Sequence, residues 1–485
     1  MISYHSTNMQ YIKSKKYLIL VAELFFLCSQ ILIFALGSIC SDFYIKLQEF
    51  VFLSFYLFVV SKSIKRNGFI TFYTIFLLLC FFFNFGRFYL DLIGYSNINI
   101  GIFFGKYEFS DTTIASVIIF MQFVLFFIDI AYYTVRKYKI KQQPLSENIL
   151  AKKIIITVMC ITLPFSLYAS FLTFNYVKNN GYEAFLLYIV TGNESIIPSY
   201  LILADHIFKF FFYVSFFYNF TKKQYYFIFS LYFINLVAVG LKGSRSTFLF
   251  PFFFFATYLI GYKKIIRLNM KSILVFCILA FSFYLFASSV RGLNTEKTSF
   301  NNIINAILYS QTVTILLPFL YIEKSVEIQS FNTFPILFSD LFSEYIHIRT
   351  YNITSIIAHT NLYGLASSMF LELIDLSILF VPVCFLIGFM IRLVHSNVDK
   401  NRFANVFVII LGMSLPWMPR DCVLRVLFKT NIIFIVSTFF LYLTLEFISK
   451  YSKRRIYNTT IRGGVNKYSS IINLGCHSYE VKNAA

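Results

Sequence analysis

The chain has 485 residues, 58% hydrophobic and 13% charged, against about 25% charged in soluble domains; its mean hydropathy is +0.71. These figures exclude a soluble globular enzyme, a disordered chain and a disulfide-stapled secreted domain. The formal net charge of +20 would point to nucleic acid in a soluble protein, but in a membrane protein the question is which side of the bilayer the cations occupy.

A spanning helix needs about 20 apolar residues. Twelve apolar runs are predicted as spans, in chain order 17–38, 47–61, 69–90, 112–134, 154–175, 198–220, 225–241, 246–261, 272–290, 368–391, 403–418 and 430–449. The fold class is therefore all-α, a polytopic integral membrane protein with a single transmembrane domain over 1–485. The first run is too long for a cleavable signal and no small-residue cleavage site follows it. No repeat recurs at a fixed period.

Two thirds of the 42 Lys and Arg residues lie in segments 1–16, 62–68, 135–153, 221–224, 262–271, 392–402 and 450–485. The same segments hold only three acids, Glu147, Asp399 and Glu480. The positive-inside rule makes them cytoplasmic, both termini and the basic 450–485 tail included. Topology thus accounts for the charge excess, and no nucleic acid is expected as a partner. The external connections are short except for 291–367, a length at which a loop carries function. Within it, 303–322 is apolar and uncharged but contains Asn305, Ser310, Gln311, Thr312 and Pro318, as in an interfacial or re-entrant helix.

Several chemistries have no residues to carry them. There is no G-x-x-x-x-G-K-[ST] phosphate loop, no D-x-D pair, no H-E-x-x-H, and no C-x-x-C among the eight cysteines. No metal and no cofactor are expected. Four arginines, Arg245, Arg291, Arg420 and Arg425, stand at external helix ends, where the charge rule disfavours cations. Arg245 and Ser244 lie in the short turn Leu241–Thr247, Arg291 precedes Gly292, and Arg420 follows Trp417-Met418-Pro419. Guanidinium groups bind phosphate bidentately and stay charged in low dielectric, although each one alone also fits a snorkelling or salt-bridged arginine. At the start of the tenth span, Glu372 and Asp375 are three apart and share a helix face, as carboxylates that face a cavity or as a structural pair with an arginine. In the long loop, His347 and His359 have the ordinary titration range of a base. His206, beside Asp205 in the sixth span, reads as a satisfied intramembrane polar group.

Three places then carry a resemblance. They are the LKGSRSTFLFP turn at 241–251, the loop leading into NLYGLASSMFLELID at 361–375, and LPWMPRDCVLR at 415–425 before the last span. With the span count, the chain resembles the Wzy-type O-antigen polymerases, or oligosaccharide repeat-unit polymerases. The resemblance implies a membrane-embedded glycosyltransferase of the C type in the bacterial cytoplasmic (inner) membrane. It would join repeat units carried on undecaprenyl diphosphate at the external face, with a chain-length regulator and a flippase as partners. It also implies that Arg245, Arg291 and Arg420 meet the diphosphate, with no metal or nucleotide sugar. There is no clean R-x10-G repeat of the sort described in some members, so Arg349 stands with Arg425 and Ser244 as a secondary candidate. Glu372 and His359 are the candidate bases for the acceptor hydroxyl.

Two other functions share much of this pattern. A flippase for lipid-linked oligosaccharides should show two related halves and short loops on both sides. An O-antigen ligase shares the loop and the arginines but transfers to a different acceptor. The topology is testable by labelling single cysteines in an otherwise cysteine-free variant. Positions 152, 222, 263 and 402 should be protected from an impermeant reagent outside the cell, and position 332 should react. External labelling at 263, or protection at 332, would overturn the arrangement.

Overall fold

The computed structural model describes residues 2–37, 43–95, 109–134, 144–191, 197–241, 369–397, 402–414, 418–419 and 434–451, with 251–262 and 305–323 in part and 278 alone. Among the described residues every named element is helical. In hydrocarbon each backbone N–H and C=O must be satisfied within the protein, which a helix does within one segment.

Seven of the described helices are long and apolar enough to cross a membrane: Tyr17–Gly37, Tyr44–Asn67, Phe72–Leu92, Asp111–Thr134, Ile149–Gly181, Ser377–Ser396 and Phe434–Tyr451. They match the first five predicted spans, the tenth and the twelfth. In element terms these are α1 (Ile2–Gly37), α2 (Tyr44–Asn67), α3 (Phe72–Cys80) running through a π-turn (Phe81–Phe85) into α4 (Gly86–Leu92), α5 (Asp111–Thr134) and α6 (Ile149–Thr191). The helix α6 contains Pro164 and bends at Gly181, whose φ of 84° is left-handed. The helices α7 (Ser199–Ser215) and α8 (Lys222–Leu241) follow at the sixth and seventh predicted spans. Further along come α9 (Leu316–Glu323), α10 (Met369–Asp375), α11 (Phe380–Asn397), α12 (Arg402–Ser414) at the eleventh span, and α13 (Phe434–Tyr451).

Charge sets the register of the first five helices. The Lys62 ammonium donates to both Glu23 and Asp129, all three buried. The Tyr73 hydroxyl donates to the other Asp129 oxygen at 2.7 Å. Lys62 and Arg66 also lie over the ring of Tyr133, and Arg392 over Tyr132. The early part of the α1 span, the ends of α2, α5 and α11, and the start of α3 are thereby gathered at one end of the bundle. The segment that ends at Tyr262, between α8 and α9, reaches the same cluster, since the Tyr262 hydroxyl is 2.7 Å from Nδ1 of His395 in α11. Lys62 was expected in a cytoplasmic loop. The structure instead places it inside α2 as a buried bridge, because α2 runs on to Asn67 and two carboxylates await the cation.

The α6–α8 group has its own polar core. Asp205 accepts from Ser166 at 2.5 Å and from Lys209 at 2.6 Å, and Asn235 donates to Ser166. His206, read as the satisfied polar group, points outward and is exposed; its neighbour Asp205 makes the interior contacts. The α13 helix is tied in by Glu446, which accepts from Ser146 at 2.8 Å, and by Ser449, which donates to Asn148 at 2.8 Å. Beside them, Glu147 is held below the usual carboxylate range by hydrogen bonds from Lys152 and then Asn219.

Replacing Lys62 with Met should be severely destabilising, by roughly 3–5 kcal/mol, because two buried carboxylates lose their cation. The triple change E23Q/K62M/D129N should recover most of that loss. Thermal unfolding in detergent measures both, and a K62M protein as stable as wild type would show that the bridge does not hold the helices.

Candidate functional site

Midway along the Phe72–Leu92 span, on the side of Lys62 away from the ion bridge, four segments far apart in sequence meet around the π-turn. The turn opens where the regular ladder of α3 gives way after Cys80, and Gly86 starts α4. Rings anchor it to α2: Phe52 meets Phe85 and Phe88 edge-on at 4.9 and 5.3 Å. A π-turn inside a spanning helix widens the backbone locally and often marks a functional site.

Its neighbour is the stretch predicted as interfacial or re-entrant. A 3₁₀ turn at Thr312–Ile315 leads into α9, and Leu316–Tyr321 are all buried. Pro318 is tolerated because it falls in the first turn of α9, where its missing N–H has no helical acceptor. This part of the stretch is packed inside the protein and not laid on its surface. Gly86 permits the approach, since a Cβ there would lie 3.1 Å from Thr312 Cγ2 and 3.1 Å from the Phe81 carbonyl oxygen. Thr314 donates to the Phe83 carbonyl at 2.6 Å and lies 3.2 Å from Asn84 Oδ1. At the far end of α9, Glu323 accepts from Thr113 and Ser110 at the start of α5, while Tyr321 donates to Asp375 at 2.8 Å.

The third segment is α10, which carries Glu372 and Asp375. A single span over 368–391 was expected. The structure breaks it: α10 stops at Asp375, Ser377 adopts a positive φ of 50°, and the spanning stretch starts only at that residue. Glu372 and Asp375 therefore precede the membrane helix and belong to a separate short helix packed among α5, α9 and α11. Glu372 is buried and Asp375 half-buried. Phe370, two residues before Glu372, meets Phe85 of the π-turn at 5.4 Å.

The fourth segment is the Met418–Pro419 turn. Asn84 Nδ2 donates to the Pro419 carbonyl at 2.9 Å across 335 positions of sequence. One turn further along, Arg87 is fully buried with its guanidinium 4.1 Å from the centre of the Tyr309 ring, a desolvated cation–π contact. Asp91 at the end of α4 is bonded by Lys46 of α2 through its carboxylate and, at 2.8 Å, its carbonyl.

Of the predicted site residues, Glu372 is thus placed at this junction. Ser244, Arg245, Arg291, Arg349, His359, Arg420 and Arg425 lie outside the described residues, as do His347 and most of 291–367. Asn84 and Arg87 were missed. Their signal was available: an Asn, a Gly, an Arg and an Asp interrupt the apolar run FFFNFGRFYLDL, and polar groups within a span are costly enough to have a purpose.

A multi-pass helical membrane protein with a buried polar junction among its helices is the class that the fold and site define. The family model for O-antigen polysaccharide polymerase Wzy matches residues 17–455, and the chain belongs to that family. No curated protein and no solved structure matched the chain. As a member of the family, the protein is a membrane-embedded polymerase that acts on lipid-linked oligosaccharide and joins repeat units into O-antigen.

Proposed function

We propose that the junction of the π-turn, α9, α10 and the Pro419 turn is the polymerisation site, and that it faces the external side of the bacterial inner membrane. The supporting observation is the hydrogen bond from Asn84 to the Pro419 carbonyl. It brings the Met418–Pro419 turn, which directly precedes Arg420 in the sequence, to the same junction as Glu372. The substrate is a repeat unit on undecaprenyl diphosphate, and the whole chain acts as one membrane domain with both termini cytoplasmic.

The reaction needs little from the protein beyond charge and placement. The acceptor hydroxyl oxygen bonds to the anomeric carbon of the growing chain. The bond from that carbon to the diphosphate breaks, and its electron pair leaves with the diphosphate. Arg245, Arg291 and Arg420 stabilise the departing diphosphate, with Arg349, Arg425 and Ser244 as secondary contacts. Glu372 or His359 takes the hydroxyl proton. Guanidinium groups supply the positive charge, so the reaction runs without a metal. The family match favours this reading over a flippase or a ligase. A chain-length regulator and a flippase are the proposed partners.

A purified assay on lipid-linked repeat units tests these roles. Arg→Ala at 245, 291 or 420 should cost roughly 2–5 kcal/mol, or about 30-fold to several-thousand-fold in rate, with protein levels near normal. Arg→Lys should be only partly impaired, because charge survives and the fork does not. Chelators should leave the rate unchanged. Wild-type chain lengths from all three alanine variants would sink the diphosphate clamp, and a loss that only added metal reverses would sink the metal-free mechanism.

A further inference from the structure

At the Lys62 end of the bundle the cations outnumber the carboxylates. Glu23 and Asp129 are both bonded by Lys62. Lys65 and Arg66, in the last turn of α2, and Arg392 of α11 make no ion pair among the described residues. Positive charge therefore remains at this end after its two acids are matched.

Two of these cations are held in place by rings. The Arg66 guanidinium lies 4.8 Å from the centre of the Tyr133 ring, and that of Arg392 lies 5.1 Å from the centre of Tyr132. The two rings meet edge-on at 4.9 Å. Tyr132 stacks on Tyr73 at 4.1 Å, and Asn67 donates to the Tyr133 hydroxyl at 3.1 Å. So α2 and α11 bring one arginine each to neighbouring rings of α5, on a ledge that the protein itself fixes. A guanidinium presents its flat face to a ring, while its five N–H donors lie in its plane. Stacking thus leaves those donors for an anion. Arg66 is exposed and Arg392 half-buried.

The depth of the ledge selects the anion. The spans of α2, α5 and α11 end at Asn67, Thr134 and Ser396, so both arginines lie within about one helical turn of the hydrocarbon edge, the level of lipid headgroups. Deeper in the membrane, Phe385 and Phe389 are exposed and share the side of α11 that carries Arg392. Phe385 also meets Phe127 of α5 at 6.1 Å, so apolar surface runs along the α5–α11 seam from Arg392 into the hydrocarbon.

We propose that Arg66 and Arg392 form a site for the headgroup phosphate of an anionic phospholipid, with Lys65 at its rim and an acyl chain along Phe389 and Phe385. Basic pockets between spanning helices bind such headgroups, and the fork of a guanidinium matches phosphate oxygens. The site is separate from the polymerisation junction and does not rest on its reading.

The test is lipid binding by the full chain purified in a neutral detergent, followed by native mass spectrometry during titration with phosphatidylglycerol, phosphatidylcholine or inorganic phosphate. Phosphatidylglycerol should bind about tenfold tighter than phosphatidylcholine, whose choline cancels the charge of the same phosphate. Each basic residue beside an anionic headgroup contributes a factor of about five, so R66Q/R392Q should weaken phosphatidylglycerol about 25-fold. K222Q/K223Q, at the exposed start of α8, should change it by no more than about twofold. Equal losses in the two variants would show a diffuse basic surface and overturn the site. Equal affinity for the two lipids would also end the proposal, and displacement of phosphatidylglycerol by inorganic phosphate would show a free-anion site instead. Should R66Q/R392Q fail to fold, R66K/R392K keeps both charges and loses only the fork. It should still weaken phosphatidylglycerol several-fold, and an unchanged affinity there would overturn the guanidinium site.

Discussion

Lys62 joins Glu23 and Asp129 where water does not reach, and the layout of the first five helices follows from where these residues sit along their helices. Glu23 lies early in its span, while Lys62 and Asp129 lie near the ends of theirs. With a rise of about 1.5 Å per residue, the three meet only if α1 runs against α2 and α5. An ion cluster of this kind tolerates little sliding, because a shift of one turn would strand a charge in a medium that cannot solvate it. Apolar packing alone has no comparable preference, since lipid tails are as apolar as the side chains that face them. The bridge at one end therefore decides which residues can gather further along the bundle.

The bridge and the junction are held by different chemistry. Around Lys62 the contacts are ionic and aromatic, among the first helices and α11. Around the π-turn side chains meet backbone carbonyls, and the bonds from Asn84 to Pro419 and from Thr314 to Phe83 join segments more than 200 positions apart. Hydrogen bonds of this sort are individually worth only about 1 kcal/mol, but they are directional. An amide that must meet one carbonyl and one hydroxyl specifies a geometry that a greasy contact would leave loose. Such a division suits an enzyme whose scaffold must stay fixed while its loops are placed for chemistry.

Much of the scaffold was legible in the sequence because hydropathy and charge are local quantities. The runs at 17–38 and 112–134 fall within a residue of the observed 17–37 and 111–134 spans. The failures occur where a residue's meaning depends on a distant partner. Lys62 looks like a loop cation until Glu23 and Asp129 are seen beside it. The run 368–391 looks continuous because apolar composition does not reveal the backbone turn at Ser377. Glu372 was singled out because a carboxylate at the start of an apolar run is conspicuous. Asn84 was not, because an amide in a run of phenylalanines gives no hint that its acceptor is Pro419. The stretch at 303–322 was set apart from the spans by its polar residues, but nothing local could show that Leu316–Tyr321 are enclosed by protein.

The π-turn has a bearing on how this chain can vary in length. An α-helix advances about 100° per residue, and a π-turn holds one residue more than an α-helical turn would. Removing one residue between Phe81 and Phe85 would let α3 and α4 merge into an unbroken α-helix that makes the same turn with one residue fewer, so Arg87 and Asp91 would keep their faces of the helix. What would go is the opened ladder itself, and with it the placement of the Phe83 carbonyl and the Asn84 side chain. The same deletion in the regular part of α3 or α4 would turn every later side chain about 100° away from its partner. The π-turn is thus the one stretch of this span where the chain can lose a residue and leave the faces of the bundle in register, at the cost of the junction.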